Sequence, residues 1–82
     1  MTTAPITNIA AYEFVAIDNL EPLRERLLDR CETLGLKGTI LLAPEGINLF
    51  LAGEVSKIET FVEELRSDAR FADLTIKRSP SR

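Results

Sequence analysis

The side chains best suited to bind a ligand lie around one short turn, Pro44-Glu45-Gly46. Glu45 and Asn48 offer a carboxylate and an amide at the tip of a predicted hairpin, where both can contact a nucleotide or a neighbouring domain. The same two residues also fit plain turn chemistry, because an asparagine side chain often binds nearby backbone amides. Both interpretations therefore stay open for this turn.

Three cationic side chains extend the candidate surface. Lys37 lies near the base of the same hairpin, and Lys77 and Arg78 lie in the last predicted strand, where each can meet a phosphate. Residues 66–82 carry a net charge of +3 and residues 1–65 one of −6, so the basic end is suited to a polyanion, although a solvated basic edge explains it equally well. The candidate binding residues are Lys37, Glu45, Asn48, Phe50, Lys77 and Arg78.

The composition excludes several kinds of chemistry. The chain has no histidine and a single cysteine, Cys31, so it cannot form an internal disulfide or a common Cys/His zinc set. The missing imidazole also removes the usual acid-base group of hydrolases. Cys31 is in phase with an apolar helix stripe, which predicts a buried filler. We therefore predict no catalytic residue, no metal site and no cofactor in this chain.

The length and hydropathy of the chain predict one small folded domain. Its 82 residues are 45% hydrophobic and 28% charged, as in ordinary globular domains. No apolar run approaches the ~20 residues that span a bilayer, and the first residues lack the basic region and apolar core of a signal peptide. These features predict a cytoplasmic protein with no membrane partner.

Two amphipathic helices are predicted from apolar positions spaced three and four residues apart. The first runs from Leu20 to Leu34 and stops at Gly35, and the second covers residues 55–65. Each begins near a pair with capping-box spacing, namely Asp18 with Glu21 and Ser56 with Glu59. Strands are predicted at Ile9–Ile17, Gly38–Ala43, Ile47–Ala52 and Leu74–Arg78, and Phe71 is predicted to turn inward as an anchor.

This order of elements predicts an α+β fold, a ferredoxin-like βαββαβ sandwich. Its four-stranded antiparallel sheet should carry both helices on one face, with the first and third strands in the middle. In the third strand, alternation directs Ile47, Leu49 and Leu51 toward the helices and Phe50 toward the open face. A large aromatic on an open sheet face is a candidate partner contact.

The hairpin sequence of residues 36–48, Leu-Lys-Gly-Thr-Ile-Leu-Leu-Ala-Pro-Glu-Gly-Ile-Asn, is followed by Ala52-Gly53 and by Arg70-Phe71-Ala72-Asp73-Leu74. This combination closely resembles the N-terminal domain of the bacterial rhodanese-domain tRNA uridine hydroxylases, also called rhodanese-like sulfurtransferases. The resemblance covers nearly the whole chain and implies an acylphosphatase-type ferredoxin-like fold. One departure is the pair Leu49-Phe50, where many members have Gly-Thr.

The resemblance implies a parent enzyme that hydroxylates the wobble uridine of certain tRNAs at C5, using oxygen, through a rhodanese domain with a reactive cysteine. This part would then be non-catalytic and would orient tRNA or pack on the catalytic domain. We expect a flexible N-terminus at residues 1–8, the folded domain at 9–79, and a tail at 80–82 that marks a truncation before the rhodanese domain.

Two alternatives to this function remain. The chain can be an independent interaction or regulatory module, since open ferredoxin-like sheets often pair. It can also be an acylphosphatase-like enzyme, which is suggested by the order of elements alone. The loop after the first strand, Ala16-Ile17-Asp18-Asn19-Leu20, contains neither the glycine nor the arginine that cradles phosphate in those enzymes, and its aspartate would repel the substrate.

Overall fold

A computed structural model describes residues 5–80 of the chain. Its elements are β1 (Ile6–Phe14), α1 (Leu20–Leu34), β2 (Lys37–Ala43), β3 (Gly46–Glu54), α2 (Val55–Arg66), a 3-10 turn (Ala69–Phe71) and β4 (Thr75–Pro80). The predicted order of strands and helices is confirmed. Of the predicted terminal segments, residues 1–4 and 81–82 lie outside the described part, whereas residues 6–8 lie in β1 and Pro80 lies in β4.

The four strands form one antiparallel sheet in the order β2-β3-β1-β4. The predicted ferredoxin-like α+β fold is therefore confirmed, with β1 and β3 in the middle of the sheet. Both helices cover the same face, where alternate strand residues such as Ile9, Leu49 and Leu51 are buried. No helix within residues 5–80 packs on the other face, which we call the open face.

The core lies between the helices and the sheet. Leu23, Leu27 and Cys31 form the buried stripe of α1, and Phe61 and Phe71 fill the space beneath α2 and the 3-10 turn. The predicted inward anchor, Phe71, is completely buried. Cys31 is buried in this core, which confirms its predicted role as a core filler, and its burial raises the pKa of the thiol.

Some boundaries differ from the predictions for identifiable reasons. The first strand ends at Phe14 rather than Ile17 because the amides of Val15 and Ile17 donate to carbonyls of the β2–β3 turn and not to a neighbouring strand. Both predicted capping boxes are wrong. The helices begin after Asn19 and Glu54, and neither of those residues makes a side-chain capping hydrogen bond. At the other end of α1, Gly35 adopts the predicted left-handed cap, with φ of 70°.

Candidate nucleic-acid interface

The centre of the open face consists of three rows of cross-strand partners. These rows run Lys37-Ala52-Asn8-Ser79, Thr39-Phe50-Ala10-Lys77 and Leu41-Asn48-Tyr12-Thr75 across β2, β3, β1 and β4. Lys37 and Lys77 are the only charged residues at these twelve positions. Neither lysine forms an ion pair within residues 5–80. The centre of the open face is therefore positively charged, although the whole chain has a net charge of −3.

An aromatic stripe crosses the two central strands of this face and consists of Phe50, Tyr12 and Phe14. Phe50 is 54% exposed, Tyr12 53% and Phe14 84%. Phe50 and Tyr12 are diagonal neighbours, because Tyr12 faces Asn48, two residues before Phe50 in β3. The rings of Tyr12 and Phe14 meet edge to face, with centroids 6.1 Å apart. Three of the five aromatic residues of the chain thus lie on the uncovered side of the sheet.

A shallow depression of about 490 Å³ lies beside Phe50. The small side chains of Ala10 and Ala52 form its floor, because they are the cross-strand neighbours of larger residues. Lys37 and Lys77 border it on the two edge strands. The arrangement offers an aromatic wall, a flat apolar floor and two ammonium groups, which together suit a planar, negatively charged ligand.

A second depression, of about 310 Å³, lies at the hairpin end of the sheet. It is lined by Tyr12, Phe14 and Leu41 together with the predicted residues Glu45 and Asn48. The open face therefore has two regions. A basic region contains Lys37, Phe50 and Lys77, and a second region at the hairpin end combines Tyr12 and Phe14 with Glu45 and Asn48.

Arg78, the remaining predicted binding residue, lies on the opposite face. It is the cross-strand partner of Ile9, so its side chain is directed toward α2. Its guanidinium donates two hydrogen bonds of 2.9 Å to the carboxylate of Glu59. These bonds lower the pKa of Glu59 and raise the pKa of Arg78. The structure thus separates Arg78 from Lys77 and pairs it with an acid.

The other two described arginines of the basic end, Arg66 and Arg70, are also engaged on the helical side. Arg70 donates to the Asp68 carboxylate at 2.7 and 3.0 Å and to the side-chain oxygen of Asn19 at 2.7 Å. Arg66 donates to the carbonyl of Leu74 at 3.0 Å. Among the described residues of the basic end, Lys77 is therefore the cation that reaches the open face.

Sequence reasoning missed Tyr12, Phe14 and Leu41 as members of this surface. The predicted first strand, Ile9–Ile17, has apolar residues at most positions of both faces, so its composition does not assign the aromatic residues to one side. The alternation of Tyr12 and Phe14 with Ala11 and Glu13 was the available signal. Leu41 lies in a continuous apolar run, in which no polar residue indicates which face of the strand is exposed.

Other parts of the described chain offer no comparable binding site. The amides of Val15 and Ile17, in the loop after β1, already donate to the carbonyls of Glu45 and Pro44 at 2.9 Å, which argues against a phosphate cradle there. Within residues 5–80 no three potential ligands among Cys, Asp and Glu converge to hold a metal ion. Neither α1 nor α2 is long and apolar enough to cross a membrane.

The strand order and the two helices on one face define a ferredoxin-like α+β domain. Solved structures share the fold at low sequence identity. A BlrP1 BLUF structure matches with a TM-score of 0.80 at 22% identity, covering 98% of this chain and 57% of the other. Full-length HypF in a phosphate- and nucleotide-bound form matches with a TM-score of 0.72 at 15% identity, covering 100% of this chain and 11% of the other.

Sequence comparison gives the family. Residues 6–82 match the model of the UPF0176 acylphosphatase-like domain, and the chain belongs to this family. A protein of Bordetella avium (strain 197N) named tRNA uridine(34) hydroxylase is 62% identical over 76 residues, and one of Variovorax paradoxus (strain S110) with the same name is 64% identical over 74 residues. The matches cover 93% and 90% of this chain but only 31% and 28% of the relatives.

Proposed function

We propose that this chain is the non-catalytic N-terminal domain of a tRNA wobble-uridine hydroxylase, and that its open face orients the tRNA. The observation that carries the proposal is the charge on that face. Lys37 and Lys77 face outward without a carboxylate among the twelve central positions. Neutralising phosphates dominates the affinity of proteins for nucleic acids, so such a face is suited to tRNA.

The relatives support the substrate class, because the proteins that match this chain at 62% and 64% identity are named for hydroxylation of uridine 34 in tRNA. The chain spans about 30% of their length. In this proposal the oxygen-dependent chemistry belongs to the remaining part, including the rhodanese domain that the sequence resemblance implies. That domain is then the partner in the same parent chain, and the protein works in the cytoplasm with its tRNA.

A chimera tests the proposal directly. This chain replaces the matching 76-residue region of the Bordetella avium relative, and the chimera is expressed in cells that lack their own hydroxylase. Mass spectrometry of tRNA nucleosides then measures hydroxylated uridine. We expect the chimera to restore the modification, and we expect Lys37→Glu with Lys77→Glu to reduce it strongly by repelling tRNA.

The control is Lys57→Glu, which makes the same lysine-to-glutamate change at one exposed position of α2, on the other side of the sheet, and is matched to each of the two lysine substitutions taken singly. This variant should modify tRNA as well as the unaltered chimera. Equal modification by the double variant and the control would show that the domain only packs on the catalytic part, and the role in orienting tRNA would be rejected.

A further inference from the structure

We propose that the aromatic stripe is a stacking site for unpaired RNA nucleotides, with Phe50 and Tyr12 supplying the ring faces. Lys37 and Lys77 hold the phosphates on either side. This inference rests on the proposed function and specifies which part of the tRNA the open face takes, namely an unpaired segment rather than a helix.

The exposure of the rings is the first step. About half of Phe50 and of Tyr12 is accessible on a face that no helix of the described chain covers. Phe14 lies edge to face with Tyr12, at 6.1 Å between centroids, and extends the stripe along β1. Both stacking residues lie on the central strands β3 and β1, which the sheet holds on both sides. The stripe is therefore a rigid platform of the kind on which exposed bases stack.

The position of the lysines is the second step. Lys77 lies on edge strand β4 in the row of Phe50 and Ala10, and Lys37 lies on edge strand β2 in the adjacent row, opposite Ala52. Three strand spacings separate the two edge strands, which is about 14 Å. An RNA segment of about two or three nucleotides crosses such a sheet in other open-faced βαββαβ domains. The lysines thus lie where the phosphates on either side of a stacked base would pass.

The choice of unpaired RNA follows from this combination. In a helix the faces of the bases are already stacked on one another and cannot reach Phe50, and helix binding depends on many backbone contacts. The described open face offers only two ammonium groups but three exposed rings and a flat floor. An apolar protein partner would explain the exposure of the aromatic residues and of Leu41. It would not explain the two lysines, because an apolar partner surface has no group that pairs with their charges.

Tyr12 provides a built-in probe. It is the only tyrosine, and the chain contains no tryptophan, so tyrosine fluorescence reports solely on the aromatic stripe. The experiment titrates the chain with an unstructured oligouridylate of about eight nucleotides, and separately with a paired RNA of equal phosphate number. We expect the single strand to quench Tyr12 and to bind more tightly than the duplex, because only its bases are free to stack.

Substitutions of Phe50 separate stacking from apolar contact. Loss of one stacked base costs an affinity factor of about 5 to 150, which we expect for Phe50→Ala and also for Phe50→Leu, since leucine keeps apolar area but has no ring face. Phe50→Tyr should keep the affinity. Leu28→Ala, on helix α1 away from the open face and similarly exposed, is the matched control and should bind like the parent chain. Circular dichroism of each variant checks that it is folded.

Three outcomes would overturn the stacking site. If Phe50→Leu binds as well as the parent chain, the contact is apolar and not stacking. If duplex and single strand bind equally and only the lysine variants lose affinity, the open face binds phosphate alone, and the proposed orientation of tRNA stands without stacking. If no RNA quenches Tyr12, while sedimentation shows a dimer that Phe50→Ala dissociates, the face pairs with a second copy.

Discussion

Phe50 of β3 lies directly opposite Ala10 of β1, and the small side chain of Ala10 leaves the ring of Phe50 beside an open depression. When two large side chains lie directly opposite each other on neighbouring strands, they pack together, which stabilises the sheet but reduces the exposed area of both. Here one large and one small residue share a pair. The ring is therefore held by the sheet and remains accessible, and the residues around it can be tested individually.

Filling the depression should block the site without harming the fold. We predict that Ala10→Leu abolishes the quenching of Tyr12 by oligouridylate, because the larger side chain occupies the floor beside Phe50. The free energy of unfolding should change by only about 0.5 kcal/mol, as for other substitutions on an uncovered surface. Ala16→Leu, at an exposed loop position, is the control and should bind normally. Unchanged quenching in Ala10→Leu would place the RNA elsewhere.

The salt dependence of binding should count the phosphate contacts. Two lysines on single-stranded RNA predict a slope of about −1.4 for the logarithm of the association constant against that of salt concentration. Lys77→Ala should reduce this slope to about −0.7. Fluorescence titrations at several salt concentrations measure it. A slope that is unchanged in Lys77→Ala would remove this lysine from the contact.

The buried stripe of α1 can be tested by a pair of alanine substitutions. Leu27 is 5% exposed and lies in the core, so Leu27→Ala should lower the free energy of unfolding by about 2–5 kcal/mol. Glu25 is exposed on the same helix, and Glu25→Ala should change it by less than about 0.5 kcal/mol. Urea denaturation compares the two, and equal midpoints would contradict the packing of α1.

Gly38 combines a demanding backbone with a close neighbour. Its φ is 139°, and a Cβ added there would collide with the backbone oxygen of Phe50. Gly35 has φ of 70° but open space around it. Gly35→Ala should therefore cost about 1–2 kcal/mol from backbone strain alone, and Gly38→Ala about 1–3 kcal/mol more from the clash. Thermal denaturation measures the stability of both variants. Equal losses of stability would show that small backbone shifts remove the collision at Gly38.

Acid should weaken the junction between the 3-10 turn and α1. Hydrogen bonds from Arg70 lower the pKa of Asp68 below its ordinary value of about 3.9. A carboxyl with a depressed folded-state pKa stabilises the protein above its unfolded pKa, and this contribution is lost as the pH falls through the folded pKa. We expect stability to fall below about pH 4, and less steeply in Asp68→Asn. The free energy of unfolding is measured by urea denaturation at several acid pH values. The same loss of stability below about pH 4 in Asp68→Asn and in the parent chain would contradict the role of Asp68.

The order of elements and the buried faces could be predicted because they depend on local periodicity. Alternation in β3 and the three-to-four spacing in α1 each repeat several times within one element, so they identify Leu49 and Leu27 as core without knowledge of the rest of the chain. The capping boxes failed because a cap depends on the backbone geometry of one residue. The same spacing occurs without the hydrogen bond at Asp18 and at Ser56.

The candidate site depended on relationships that are not local. Sequence placed Lys77 and Arg78 together, but adjacent strand residues point to opposite faces, and which of them meets α2 is decided by the register of β4 on β1. Glu59, the partner of Arg78, lies 19 residues away along the chain. Similarly, the approach of Lys37, Phe50 and Lys77 to one depression requires the register of all three strand pairs. The binding roles of these residues stay predictions until RNA is titrated.

The central position of β1 also governs how the domain is made. The first strand of the chain pairs with β4, its last described strand, and the hydroxyl of Thr7 donates to the carbonyl of Ser79 across 72 residues of sequence. Such long-range pairing slows folding, and the sheet cannot be completed during synthesis until β4 has left the ribosome. Until then the N–H and C=O groups along one edge of β1 are unpaired and can form hydrogen bonds with a strand of another nascent chain. Premature termination before Thr75 would therefore yield an aggregating product rather than a shortened domain.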